Sequence, residues 1–491
     1  MKCLAAVTIL LLSIGGPILW CQSTDATISG IVFDSSNRAI SNAQILILNE
    51  ATGVRYSGAT NPVGLYTVSI LPPGQYRVQV SKDGFKTIIK PGVILNVQSA
   101  LVLNFTLPIG ATSESITVDA GTSLLNTTDA AVSTVVDRQF VENMPLNGRS
   151  FQDLISMAPG VVTQSPQSGS TLGVNGDFSV NGQRTESNNY MVDGVSGNTN
   201  PGTGYGGYGA NSSGSLGGAT ALGTTQSLIS VDGLQEFRVQ TSTYSAEFGR
   251  SPGGQFSLVT RSGTDEFHGE AFDYLRNDFF DANDWFNDHY GDPIQALRQN
   301  DFGGTFGGPI QFRSNANPRS FFFVSYEGLR LTQPQAATIQ YVPDLSMRQQ
   351  SPSSMQGILD AFPAPNGTDY GDAANPSLAE FIQAYSSPSA IDSTSVRVDR
   401  SFGRVLSVFG RVGYTPSTTS SRSNFAVNTT KAHVSTGTFG ATSQFTSQLT
   451  NEFRLGYDSA KSAVTDALDT FGGATPTNLA SALGAGAVSR P

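Results

Sequence analysis

Cysteine is almost missing: the 491-residue chain has two, Cys3 and Cys21, both at its apolar front end. Without them no disulfide framework, thiol nucleophile or cysteine-based metal site can be built. Histidine is nearly as scarce. His268, His289 and His433 stand more than 20 residues apart, so no zinc-binding His-Glu-x-x-His pair exists. Charge is thin as well: Asp, Glu, Lys and Arg make up 13% of the chain, about half the usual share. The little there is leans acidic, for a formal net charge of −10, and that excludes nucleic acid as a partner, because phosphate contacts need a basic face. After the front end no run of some 18 apolar residues follows, so no membrane-spanning helix is expected.

What is abundant is glycine (53), phenylalanine (29) and tyrosine (15), the balance of a mainly β protein with long loops. Lys2, the apolar run LAAVTILLLSIGGPILW and the polar exit QSTDAT match a secretory signal peptide, taken as residues 1–22. Gly15, Gly16 and Pro17 interrupt the run and argue against an anchor, and Trp20 argues against a lipoprotein site at Cys21. An exported chain without spanning helices is periplasmic, secreted or a membrane protein of β-strands.

From Ala26 to Leu107 short strands alternate with turns: ATISGIVFD, AQILILN, GLYTVSI, QYRVQVSKDGF and ALVLNFTL, punctuated at Pro72-Pro73-Gly74 and Asp83-Gly84. Tyr76, Val78 and Val80 alternate with Arg77 and Gln79, so one face is apolar and the other wet. A small β-sandwich is expected. The segment TNPVGLYTVSILPPGQYRVQVSKDGFK, with Gly64-Leu65-Tyr66 and Leu71-Pro72-Pro73-Gly74-Gln75-Tyr76, resembles the carboxypeptidase regulatory-like domain, a transthyretin-like sandwich, over residues 24–108. That resemblance implies a fold and not an activity. Its family is grouped with carbohydrate-binding-like sandwiches, which leaves a spacer and a sugar-binding module both open.

Between residues 122 and 262 the pattern changes. DRQFVENMP and SFQDLISMAP have helical spacing, with Ser150 placed to cap the second, and SVNGQRTESNNYMVDGV and VDGLQEFRVQTSTYSAEFGRSPGGQFSLVTRSGT supply strands of a small mixed sheet. Four motifs in order, Leu146-Asn147-Gly148-Arg149-Ser150-Phe151, Val180-Asn181-Gly182-Gln183-Arg184, Met191-Val192-Asp193-Gly194 and Ser245-Ala246-Glu247-Phe248-Gly249-Arg250, resemble the plug domain of TonB-dependent outer-membrane receptors, in the Oar-like branch.

From residue 263 onward, FHGEAFDYLRN, QNDFGGTFGGPI, RSFFFVSYEGLRL, STSVRVDR, RVLSVFGRVGYT, HVSTGTFGATSQF and LTNEFRLGYDS are about seven candidate strands, separated by polar connections of which 333–390 is the longest. Leu406, Val408, Val412 and Tyr414 share a face opposite Ser407 and Arg411. Phe453, Leu455 and Tyr457 likewise oppose Glu452, Arg454 and Asp458. A polar, glycine-rich second face suits a water-filled lumen, so 263–491 is expected to be the N-terminal part of a transmembrane antiparallel β-barrel. Barrels of the resembled family have about 22 strands. Seven strands and a terminus, SALGAGAVSRP, without a closing aromatic lead to the expectation of a chain incomplete at its C-terminal end.

No constellation carries catalysis. No nucleophile elbow occurs, so neither a catalytic residue nor a cofactor is assigned. The acidic run DFFDANDWFNDHYGD (278–292) fails the calcium-loop pattern, since Trp285 occupies the fifth loop position after Asp281 and no Gly follows it, and is read as solvated loop charge. GTGYGGYG (202–209) holds a formal G-x-G-x-x-G with no strand before it or helix after, which rejects a dinucleotide site. Tyr205 and Tyr208 in that loop are the weak candidates for facing a ligand.

The resemblance implies active uptake across the outer membrane. An unknown extracellular ligand binds against plug and loops, outer-membrane lipid surrounds the barrel, and TonB supplies energy by pairing with a short strand before the plug. In residues 109–121, Ser115-Ile116-Thr117-Val118 is the β-branched run between Gly110 and Gly121, and is the expected TonB-pairing segment. An adhesion or carbohydrate-binding protein, with the sandwich as binder and the barrel as anchor, is the competing reading.

Overall fold

The computed structural model describes residues 23–477 apart from short stretches, of which 118–130, 164–177 and 200–215 are the longest. Residues 1–22, Val118 and the loop with Tyr205 and Tyr208 lie outside the described residues. The architecture is mainly β, in three bodies.

The first is a sandwich of β1 (Ala26–Asp34), β2 (Gln44–Asn49), β3 (Arg55–Ala59), β4 (Leu65–Leu71), β5 (Gly74–Ser81), β6 (Thr87–Leu95), β7 (Ala100–Val102), β8 (Phe105–Leu107) and β9 (Ser115–Thr117). One sheet runs β4-β1-β7 with β8 also on β1, and the other runs β3-β2-β5-β6-β9. Period-2 burial turns Ile28, Ile45, Ile47, Tyr76, Val78, Val80, Leu95 and Leu107 inward to one core. Gly30 lets β1 serve both β7 and β8, for a Cβ there would meet the Leu103 carbonyl oxygen at 1.8 Å. Two strands escape the sequence pattern. β3 is short and polar, and β6 is interrupted by Pro91 and Gly92; there the ladder to β5 shifts register and Gly92 takes φ +69°, so the proline sits at an irregularity where no ladder donor is needed.

The second body holds a mixed sheet. β10 (Val132–Val136) leads to a helix, Arg138–Asn143, that Asp137 caps by accepting from the Phe140 N–H at 2.8 Å. A second short helix (Gln152–Ile155) and a hairpin of β11 (Val161–Thr163) and β12 (Phe178–Val180) follow. Then come β13 (Asn189–Val192), β14 (Val195–Ser196), the small pair β15 (Asn198–Thr199) and β16 (Leu216–Gly217), β17 (Leu234–Ser242) and β18 (Gln255–Thr260). The sheet order is β10-β17-β18-β13-β14, with β13 parallel to β18. Its core gathers Leu154, Ile155, Phe237, Val239 and Leu258 around Tyr190 and Phe256, whose rings stack at 4.8 Å.

The third body is a seven-stranded antiparallel sheet of β19 (His268–Asn277), β20 (Arg298–Pro309), β21 (Pro318–Gln335), β24 (Tyr385–Phe402), β25 (Leu406–Arg422), β26 (Val427–Gln444) and β27 (Thr450–Ala467), in that order. Among the described residues it is unclosed, with β19 and β27 at its edges. All seven predicted segments fall in these strands, and β21, β24, β25, β26 and β27 run longer than their sequence signals: 18 residues in β24 reach about 60 Å. The connection expected to be a polar loop at 333–390 is partly folded, holding the hairpin β22 (Ile339–Pro343) and β23 (Leu378–Ile382) and two short helices, Leu345–Gln350 and Ser353–Leu359. Asp344 ties it together, accepting from the Met347 and Ser377 N–H groups. The long connections 278–297 and 336–384 leave one rim together with the short turn 423–426; the turns at 403–405 and 445–449 leave the other, where Gln444 Nε2 donates to the Ser57 carbonyl of the sandwich. No helix among the described residues is long and apolar enough to cross a membrane.

The faces follow the alternation. Val412, Leu455 and Tyr457 are exposed on the outer side, while Arg411 is buried on the inner side. The inner face is not open to water where the mixed-sheet body lies against it: Ser325, Ser393, Thr415, Ser417 and Thr438 are all buried, and the Ala221 N–H donates to Ser417 Oγ at 2.7 Å. The polar pattern read as a watery lumen here meets another protein surface, to which it hydrogen-bonds equally well.

Spin labels at positions 408 and 411 of the full-length protein in lipid are expected to differ, with oxygen accessibility high at 408 and low at 411. A Leu455→Lys change near mid-bilayer should cost about 2–4 kcal/mol in unfolding experiments. The same change at inward Thr438 should not show this lipid penalty.

Candidate functional site: how the mixed-sheet body is held

Charge decides how the second body sits inside the third. Arg397 projects inward from β24, and its Nη1 donates to Asp193 Oδ1 (3.3 Å), to Thr260 Oγ1 (2.7 Å) and to the Thr260 carbonyl (3.2 Å). Its other edge is held by Asp399 at 2.8–3.1 Å, and its face lies 4.3 Å from the Phe409 ring. Asp193, at the β13–β14 turn with φ +50°, also accepts from the Thr260 N–H at 2.9 Å. Arg411 donates to the Leu228 carbonyl at 2.8 Å and to Ser395 Oγ at 3.0 Å. Nearer β19, Arg149 donates to Asp232 at 2.6 Å and lies over the Phe272 ring, while Arg138 and Arg261 both reach Glu270, at 3.1 and 3.3 Å. A guanidinium out of water needs its donors satisfied, and each of these finds acceptors across the boundary or beside it: carboxylates for Arg397, Arg149, Arg138 and Arg261, and a carbonyl and a hydroxyl for Arg411.

The sandwich side of the same body is also polar and buried. In β17, Phe237 and Val239 point into the core, so Glu236, Arg238 and Gln240 share the opposite face. All three are buried because the Asn96–Ser99 turn of the sandwich lies on them. The Glu236 carboxylate accepts from the Val97 N–H. Arg238 donates to the Gln98 carbonyl at 2.7 Å, and Gln98 Nε2 donates to Ser257 Oγ at 2.9 Å. Burial, opposed by the Val97 N–H, raises the Glu236 carboxyl to about 8, with Asp137 adding to the rise and Arg238 resisting it. The third side of the joint is Asp25, before β1, which pairs with Arg454 of β27 at 3.2 Å. Burial and the nearby Glu452 push the Asp25 carboxyl up, against the pull of Arg454.

Of the residues singled out from sequence, Ser115, Ile116 and Thr117 form β9, hydrogen-bonded in parallel to β6 at the margin of the sandwich and exposed along their length. They lie in a sheet rather than in a bare connection. The acidic run is accounted for in part by Asp284, which caps the helix Trp285–Tyr290. Among the described residues no group of three His, Cys, Asp or Glu could hold a metal. Sequence reasoning placed Arg411 and Arg454 on the lumen-facing side of their strands without a partner, and singled out neither Arg397 nor the face of Glu236, Arg238 and Gln240. The signal was there in part, since Asp193 lies in one of the recognised motifs and the three arginines sit on the inward parity of their strands.

Comparison with known proteins gives residues 27–108 as a carboxypeptidase regulatory-like domain and residues 259–354 and 349–489 as an outer membrane beta barrel domain. The chain is 27% identical over 311 residues to the TonB-dependent transporter Oar of Myxococcus xanthus, covering 60% of this chain and 26% of that protein. It thus spans about a quarter of the curated relative it matches. Among solved structures, the outer membrane transporter YddB from Escherichia coli is 15% identical with a TM-score of 0.43, covering 68% of this chain and 40% of that one. The ferric enterobactin receptor PfeA from Pseudomonas aeruginosa is 9% identical with a TM-score of 0.36, covering 69% and 46%.

Removing Arg397 leaves Asp193 buried without its cation, so Arg397→Ala should destabilise the seating of the mixed-sheet body by about 3–5 kcal/mol, read as early protease cleavage in that body on denaturant titration. The contact at Glu236 should depend on pH. A carboxyl raised from 4.5 to about 8 holds a proton in the docked form that it would release when solvated, so docking weakens as pH rises through that window. The hydrogen-exchange protection of the Val97 amide, its exchange rate taken relative to the intrinsic rate at each pH, is expected to be lower at pH 8.5 than at pH 6, and Glu236→Gln should abolish the difference in protection.

Proposed function

The chain belongs to the TonB-dependent outer-membrane transporters, in the Oar-like branch with a carboxypeptidase regulatory-like domain at its front, and from that premise we propose that it serves active, TonB-driven uptake of an extracellular ligand. The family is not a catalytic one, and its place is the outer membrane. The observation that carries the proposal is the manner of seating. The mixed-sheet body, acting as plug, meets the inner face of the strands through discrete, directional ion pairs such as Arg397 with Asp193 rather than through a continuous apolar core. Such contacts can be broken one by one under load and re-formed, as a removable plug requires. Outer-membrane lipid faces Val412, Leu455 and Tyr457, and the ligand enters from the rim of long connections, with Tyr205 and Tyr208 as candidate contacts.

TonB is proposed to pair at Ser115, Ile116, Thr117 and Val118. In a parallel ladder alternate residues turn both main-chain polar groups to the same neighbour. The Thr87 N–H donates to the Glu114 carbonyl at 2.8 Å, so Glu114 and Ile116 face β6 while Ser115 and Thr117 face outward. No other strand among the described residues takes that outward edge. An extended chain adding there would continue the sheet, the β-augmentation mode in which main-chain bonds supply affinity.

Thr117→Pro removes an outward donor and should abolish cross-linking to the TonB periplasmic domain in the full-length protein, with ligand binding kept. Ile116→Pro should instead loosen β9 from β6. A Thr117→Pro protein that cross-links to TonB like the unaltered one would show that the segment is a linker. Uptake that persists in a TonB-deficient strain would favour the adhesion reading over transport.

A further inference from the structure

The sandwich is placed to do more than precede the plug. β9 is laddered to β6, and β6 runs at Leu95 directly into the Asn96–Ser99 turn, which is buried against the plug. Val97 is wholly buried there. At the tip, Gln98 adopts φ +55°, a left-handed conformation uncommon for a residue with a side chain and kept only where surroundings impose it. The surroundings do impose it. The Gln98 carbonyl takes Arg238 at 2.7 Å, and its side chain reaches Ser257 at 2.9 Å, Gln240 at 3.2 Å and the Ser23 carbonyl at 3.2 Å. Arg238 is braced in turn by Ser133 of β10, at 2.9 and 3.1 Å. One turn of the sandwich therefore grips two adjacent strands of the plug sheet, β17 and β18, and Arg238 carries the contact on to β10.

We infer that the sandwich is a force-transmitting element whose Asn96–Ser99 turn latches it to the plug, so that a pull on the outer edge of β9 passes along β6 into β17. The inference rests on the reading of β9 as the TonB edge. The covalent route from Thr117 to Val132 passes through residues 118–131, a contour of about 50 Å. The ladder route is two hydrogen-bonded steps long and loads the plug sheet across its strands, at the contact where Glu236, Arg238 and Ser257 converge. On this route the sandwich moves with the plug, and the contacts that must yield are those to the barrel: Asp25 with Arg454, and Gln444 Nε2 with the Ser57 carbonyl at 2.7 Å.

The test uses the full-length protein in cells, with uptake, ligand binding and TonB cross-linking measured together. Arg238→Ala cuts the latch, because it removes the guanidinium that holds the Gln98 carbonyl. Ligand binding and TonB cross-linking should be retained while uptake falls about tenfold, the effect of losing one hydrogen bond to a charged group. Uptake equal to that of the unaltered protein overturns the inference. A second chain, Gln98→Cys with Ser257→Cys in the cut background, is joined by a short, reversible bifunctional thiol reagent. Joining should restore uptake, and reductant should remove the gain. A joined chain that binds TonB yet imports no faster than the cut one overturns the force route and leaves the β9 reading standing. Failure of the β9 reading shows separately, in the Thr117→Pro protein.

Discussion

A guanidinium removed from water must be paired, and the placement of the three bodies obeys that constraint. Arg397, Arg411 and Arg454 sit on the inward parity of β24, β25 and β27, and besides Asp399, Ser395 and Glu452 of their own sheet they take partners from the other bodies: Asp193 and Thr260, the Leu228 carbonyl, and Asp25. An apolar interface between plug and wall would bury more surface and hold more tightly. It would also have no preferred way to open. Ion pairs invert that balance, because a buried pair contributes little net stability against well-packed apolar residues yet is costly to leave half-made. The result is a plug with a defined seat and a small set of points at which it is held.

The same logic extends to the sandwich through β17. One face of that strand is core, with Phe237 and Val239 wholly buried, and the other presents Glu236, Arg238 and Gln240 to a single turn of another body. Because β17 is central in its sheet, flanked by β10 and β18, a load on its outer face is shared by both neighbours. The transport reading and the latch both depend on this shared strand. One side of the mixed-sheet body answers to the wall, and the polar face of β17 answers to the sandwich.

Much of the fold was legible because a strand's alternation is local. The seven wall segments, most of the sandwich runs and the helix that starts after Asp137 all follow from spacing within a dozen residues. What escaped did so for equally definite reasons. β3 is too polar to stand out, β6 hides behind Pro91 and Gly92, and the hairpin β22–β23 lies in a connection whose composition resembles a loop. The site was less legible. Asp193 and Arg397 are 204 residues apart, and no local pattern announces that they meet.

By itself the sequence determined the period of each strand, the parity of each side chain and a scarcity of cysteine and histidine that leaves no cysteine-based metal site and no paired-histidine zinc motif. It also determined which residues had to find partners, since a charge on the inward parity of a strand cannot stay bare. Only the tertiary structure decided who those partners are, whether a polar face meets water or another domain, and that Ser115–Thr117 lies along β6 instead of hanging free. Alternation is a property of one strand's backbone geometry. Pairing depends on which surfaces the chain brings within hydrogen-bond distance, and that is set by the packing of all three bodies at once.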